Sequence, residues 1–197
     1  MASDKYYARF QKIHGHIFRF DTRVYLGEHD IKEPGRCVGA IVAKNPGSAK
    51  PTKLGELTVL RLDGDKMLPT VYNRFREAFR RTGRRIPRNA YVQVWNLFYL
   101  CNPTLISACR AIAKMPDPPV CPSEIKRPNI TWFAWGGDSR RLNPFKERFL
   151  ARRNRGAFFF SKADNVVIRR MPAVADPAKH PQGMPEEPIV THLARVL

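Results

Sequence analysis

A chain of 197 residues is long enough for one domain with a real core, and 43% hydrophobic with 11% aromatic residues excludes a disordered chain. Its 35 Lys and Arg against 17 Asp and Glu leave a net charge of +18; a polyanionic partner relieves such self-repulsion, and nucleic acid heads that class. No run reaches the ~20 apolar residues that span a bilayer, and four cysteines without a CxxC pair argue against a zinc site and for reduced thiols.

The opening stretch, MASDKYYARFQKIHGH, lacks the apolar centre of a secretory signal, so a cytoplasmic location is expected. HGHIFRFDTRVYLGEH alternates apolar and polar residues, which predicts a strand in an N-terminal hairpin over residues 10–30. Phe18 and Phe20 fall on one face of it, and His14 and His16 share a face. The remaining residues, 35–197, read as the core of the same single domain. RCVGAIVA is a continuous apolar run, the pattern of a strand buried on both faces. It stops at Lys44-Asn45-Pro46-Gly47-Ser48, a turn by composition, and a loop-rich stretch covers residues 48–68.

LPTVYNRFREAFRRTGRR predicts a helix with Val71, Phe75 and Phe79 as its apolar stripe and Gly83 as its stop. NAYVQVWNLFYL is a second buried strand. NPTLISACRAIAKM is a helix with Pro103 in its first turn and Thr104 near the cap, and Cys101 and Cys109 flank it as core thiols. PDPPVCPSEIKRP is a Pro-rich surface connector. NITWFAWGG is a third strand closing on Gly136-Gly137, NPFKERFLARRNR a basic helix, GAFFF a fourth strand and NVVIRR a short fifth. The tail ADPAKHPQGMPEEPIV reads as a Pro-rich loop before a short terminal segment. Strand and helix alternate throughout, the pattern of an α/β domain with a mainly parallel sheet.

In a parallel sheet the carboxyl ends of all strands share one edge, the edge where open α/β sheets bind ligands. That edge would gather Asn45, Asn96, the Gly136 turn and a late His180-Pro181 loop. Taken singly, each is as readily a turn former or a solvated loop residue.

In this order the four segments resemble the motifs of the uracil-DNA glycosylase superfamily. AKNPGS is similar to the GINPG form of its first motif, VQVWN to the strand that ends in Asn, FAWGGDSRR to the LLWG strand and KHPQGMP to the last loop. The chain also resembles a poorly characterised bacterial family with an LNPS corner, an NLF strand end, an AWG strand and an HP loop. The matches run over about residues 37–190.

The resemblance implies a three-layer α/β sandwich with a central, mainly parallel sheet. It also implies a DNA N-glycosylase that removes uracil or a 5-modified cytosine, a hypermodified phage base among them, and leaves an abasic site. Asn45 would hold the attacking water, Asn96 would bond the base edge and His180 would donate to the departing base. Met184 corresponds to the apolar wedge that fills the gap left by an extruded base. Ser48, Lys50, Ser139, Arg140 and Arg141 correspond to phosphate contacts.

Two departures shape this expectation. The carboxylate of the GQDPYH form is absent at Asn45, which implies a slower enzyme leaning on leaving-group stabilisation unless Asp65 or Asp138 stands in. Gly47 takes the place of a Tyr that would block 5-substituents, so the pocket would admit a larger base, with Phe98, Tyr99 or Tyr72 stacking on it. The expectation includes a monomer, DNA as partner, and neither cofactor nor metal. A non-catalytic nucleic-acid binder on the same fold, or a hydrolase of small nucleotides, are the competing readings.

Overall fold

Residues along the central strands alternate between two separate apolar clusters, so each face of the sheet carries its own core. The computed structural model describes residues 4–47, 50–137, 139–152 and 154–197. Its elements are β1 (Tyr6–Ile13), β2 (His16–Tyr25), β3 (Arg36–Ala43), β4 (Leu57–Val59), α1 (Met67–Thr82), β5 (Ala90–Asn96), α2 (Leu105–Ala113), β6 (Thr131–Phe133), α3 (Asn143–Leu150), β7 (Ala157–Ser161), β8 (Val166–Ile168) and α4 (Glu186–Val196). They form one eight-stranded sheet in the order β4-β1-β2-β5-β3-β6-β7-β8. The central strands β5, β3, β6 and β7 are parallel, and the outer strands pair antiparallel on both sides. The chain is thus mixed α/β with a mostly parallel centre.

Ile41, Val92, Val94, Trp132 and Phe158 pack with α1 and α4 on one face. Ala40, Val42, Trp95, Phe133 and Phe159 pack with α2 and α3 on the other. The stripe read from the sequence is the buried side of α1: Val71 and Phe75 are inaccessible and Phe79 nearly so, each such side chain contributing about 1.5–3 kcal/mol. Asp65, just ahead of the helix, accepts the Met67 and Leu68 amides on one carboxylate oxygen at 2.7 and 3.3 Å. Gly83, at φ 67°, ends the helix in the left-handed region.

Several elements differ from expectation. The hairpin occupies residues 6–25 rather than 10–30, because Tyr7, Ala8 and Phe10 are buried and build β1. His14 is not on a strand face: with φ 48° it forms the two-residue turn with Gly15. The stretch after β3 carries the short strand β4, which extends the sheet beside β1. Pro103 lies ahead of α2, whose cap is Thr104. The Pro-rich connector is partly interior, since a 3-10 turn at Pro122–Ile125 buries Ser123 and Glu124 next to Cys121. The tail folds into α4 from Glu186 onward. Its first-turn acids suit the positive end of a helix, and Glu187 holds Arg81 of α1 at 2.7 Å. All four cysteines are free; Cys121 is buried, whereas Cys101 and Cys109 are only half-buried. Among the described residues no helix is long and apolar enough to cross a membrane.

Candidate active site at the carboxyl edge of the sheet

β3 and β5 are adjacent and parallel, yet their following connections leave towards opposite faces. The path after β3 leads to α1, and the path after β5 leads to α2. That makes their junction the topological switch point, where α/β sheets leave a crevice for ligands. Ala43 and Asn96, the last residues of the two strands, are direct neighbours there. The Leu97 amide closes the junction by bonding the carbonyls of Ala43 and Lys44 at 3.0 and 3.1 Å.

Asn96 continues the alternation of Val92 and Val94, so its side chain enters the α1–α4 face. It is 0% exposed, and both its amide nitrogen and its oxygen lack a hydrogen-bond partner among the described residues. An amide in that state costs about 1–3 kcal/mol, which native proteins accept where a ligand is to fill the vacancy. The half-buried Asn45 follows β3 at the same edge, in a corner turned by Gly47 at φ 70° with open space where a side chain would stand.

The His180 loop reaches the edge through backbone pairing. Ala178 accepts the Gly136 amide at 2.6 Å, and the Lys179 amide bonds the carbonyl of Phe160 at 3.1 Å. Gly136 has φ 60°, and a Cβ there would stand 3.3 Å from that of His180, so glycine is required both by conformation and by the approach of the loop. Burial, joined by the Lys44 ammonium, pushes the His180 pKa below its ordinary value against a smaller upward pull from Asp65. The ring is therefore neutral at pH 7. Its Nδ1 accepts the Gln182 amide at 3.4 Å, which leaves Nε2–H as the free donor.

Beside the Pro46-Gly47 corner lies a cavity of about 290 Å³ lined by Arg19, residues 60–65, Pro46 and Gly47. Arg19 comes from β2, where its amide bonds the Tyr99 carbonyl at 2.9 Å. Its guanidinium is 2% exposed with no hydrogen bond among the described residues, and burial pushes its pKa down. The nearby Cys101 thiol, raised to about 11 chiefly by burial, stays neutral and supplies no counter-charge. Asp65 lines the same cavity, its carboxylate beyond ion-pair distance of Arg19. Larger grooves exist: about 570 Å³ where His14 and His16 face α2, and about 690 Å³ along the arginines of α1. Neither is lined by a buried, unpaired side chain, so the smaller cavity has the stronger chemical character.

The structure brings Asn45, Gly47, Asn96 and His180 to one edge. Lys50, Arg140 and Arg141 are exposed and Ser139 half-buried on the loops after β3 and β6; Ser48 and Asp138 lie outside the described residues. Two expectations need correction. Phe98 is buried in the α2–α3 cluster, edge-on to Phe145 at 5.4 Å, because the chain turns to the other face after Asn96. Met184 is 6% exposed and packs in the α1–α4 core, so in this conformation it is a core side chain and not a protruding wedge. Of the aromatic candidates for stacking, Tyr99 is buried with its hydroxyl on Glu124 at 2.5 Å, and only Tyr72 lies on the α1–α4 face. Sequence reasoning passed over Arg19, because alternation beside Phe18 and Phe20 assigns it to solvent; the signal was that β2 is an interior strand with both faces covered. No group of three His, Cys, Asp or Glu among the described residues is placed to hold a metal. Comparison with protein-family models, curated proteins and solved structures found no match.

Proposed function

We propose that the protein is a monofunctional DNA glycosylase on a uracil-DNA-glycosylase-like fold. It hydrolyses the N-glycosidic bond of uracil or a 5-modified cytosine and leaves an abasic site. The observation that carries this reading is the fully buried, unpartnered Asn96 amide at the switch point, flanked by a neutral His180 and the Asn45 corner. An amide offers a donor and an acceptor side by side, the complement of a pyrimidine edge. Water held by Asn45 adds to the sugar C1′ while the C1′–N bond breaks and its electron pair leaves with the base. The water's surplus proton passes to solvent. The Nε2–H of His180 donates to the base oxygen on which negative charge grows, and one preorganised donor of this kind contributes about 10²–10³ in rate. The +18 charge and the exposed Lys50, Arg140 and Arg141 suit a phosphate backbone.

One observation favours a second reading, a non-catalytic nucleic-acid binder. Asn45 offers no general base, and Asp65 already has one oxygen committed to the amides of α1. Incubation with duplexes bearing uracil, mismatched thymine or 5-modified cytosines, followed by alkali, decides between the two. Strand breaks at the marked base that fall at least about a hundredfold in Asn96→Ala and His180→Ala support excision. Salt-dependent binding without an abasic site on any substrate establishes the binder instead.

A further inference from the structure

We propose that the Arg19 cavity is a recognition pocket for a hydroxyl-bearing 5-substituent on the base, so that the substrate class is a 5-hydroxyalkyl pyrimidine and not a 5-methyl or 5-carboxyl one. This rests on the base-excision reading, which it makes specific. The cavity opens beside Gly47, where no side chain fills the space next to the Asn45 corner. At about 290 Å³ it has room for far more than a methyl group, since a water's share of liquid volume is ~30 Å³.

The chemistry of its wall narrows the occupant. The Arg19 guanidinium carries only donors and the Asp65 carboxylate only acceptors. Both line the cavity, yet no ion pair joins them among the described residues. Asp65 commits Oδ1 to the Met67 and Leu68 amides and has Oδ2 to offer. A group lodged between the two must accept from one and donate to the other, as a hydroxyl does. A methyl would leave a buried guanidinium and a carboxylate unsatisfied. A carboxyl would meet Arg19 favourably but would stand against Asp65, with Asp63 also lining the cavity. Arg61, the remaining charge there, is exposed, as is Asp63, and the two offset each other.

The test uses duplexes with one 2′-fluorinated nucleotide, which resists glycosidic hydrolysis, carrying cytosine, 5-methylcytosine, 5-hydroxymethylcytosine or 5-carboxylcytosine. Dissociation constants are measured by fluorescence anisotropy at fixed salt. The wild type is expected to bind the hydroxymethyl duplex at least about tenfold tighter than the other three. Arg19→Met and Asp65→Asn are each expected to reduce that ratio below about threefold. Asp65→Asn keeps the oxygen that accepts the α1 amides, so it remains informative if Arg19→Met does not fold. Equal affinity across the four duplexes, or a ratio that survives both substitutions, overturns the pocket. Uracil excision without hydroxymethyl preference does so too, and leaves the excision reading standing. Hydroxymethyl preference with no abasic site on the unfluorinated duplexes upholds the pocket while removing the excision reading.

Discussion

The two faces of the sheet bury polar groups in opposite ways. On the α2–α3 face, Glu124 is 4% exposed but accepts from Tyr99, Arg148 and Arg152. Lys146 donates to the Val174 carbonyl at 2.8 Å, and Trp95 donates to Ser123 at 3.1 Å. On the α1–α4 face, the Asn96 amide, Arg19 Nε, Trp132 Nε1 and both ring nitrogens of His192 have no partner among the described residues. The first pattern stabilises a structure, because satisfied networks fix one arrangement of the chain. The second leaves free energy unrealised at rest, which is reasonable where a ligand completes the bonds. Arg148 joins the two regions by donating to the Leu97 carbonyl at 3.0 Å, so the saturated face braces the strand end that presents Asn96 to the other.

The largest expected effect breaks the saturated face. Glu124→Ala leaves Arg148 and Arg152 facing a buried void, and removing one partner of a buried ion pair costs about 3–5 kcal/mol. The urea midpoint should fall accordingly, and the melting temperature by roughly 10 °C or more for a chain of this size. A loss under about 1 kcal/mol would mean that the face is not held by this network.

A second effect reads the unsaturated face through pH. Burial, with Arg169 and Arg195 nearby, holds His192 down to about 4, and its ring meets Phe158 at 4.4 Å. The unfolded chain binds this proton at its ordinary value near 6.5. Between pH 6.5 and 4 the unfolded state therefore carries more protons, and stability falls as pH falls. Full stability is present above pH 6.5, and on the order of 3 kcal/mol is lost by pH 4. His192→Leu should flatten that part of the profile in urea titrations across this range. An unchanged acid slope would place its origin elsewhere.

What was legible in the residues follows from periodicity. Continuous apolar runs marked β3, β5 and β7, and the i, i+4 stripe with Gly83 marked α1, because those patterns record burial directly. The Asn45, Asn96 and His180 strand ends were legible as a set because a parallel sheet sends them to one edge. What stayed hidden depends on neighbours distant in the chain. Alternation assigns Arg19 to solvent, and only the pairing of β2 with β5 shows that no solvent is there. Phe98 and Met184 show the converse: local motifs named them, while the turn after Asn96 and the packing of α4 assign both to the core. Pro188 and the Pro-rich approach disguised α4, though proline is tolerated in a helix's first turn.

The smallest expected effect is the sharpest test of the contrast, because its sign is opposite to that of Glu124→Ala. Asn96→Leu keeps a side chain branched at Cγ and removes two polar atoms that have nothing to bond. Relief of an unsatisfied buried amide is worth about 1–3 kcal/mol, while the bulkier methyl groups return part of it as crowding. A net gain of about 1 kcal/mol in urea unfolding is expected, together with loss of excision. A residue whose removal stabilises the fold and abolishes activity is held there for its ligand. A destabilised Asn96→Leu protein would show instead that Asn96 is as much part of the scaffold as Glu124, and the contrast between the faces would fail at its central residue.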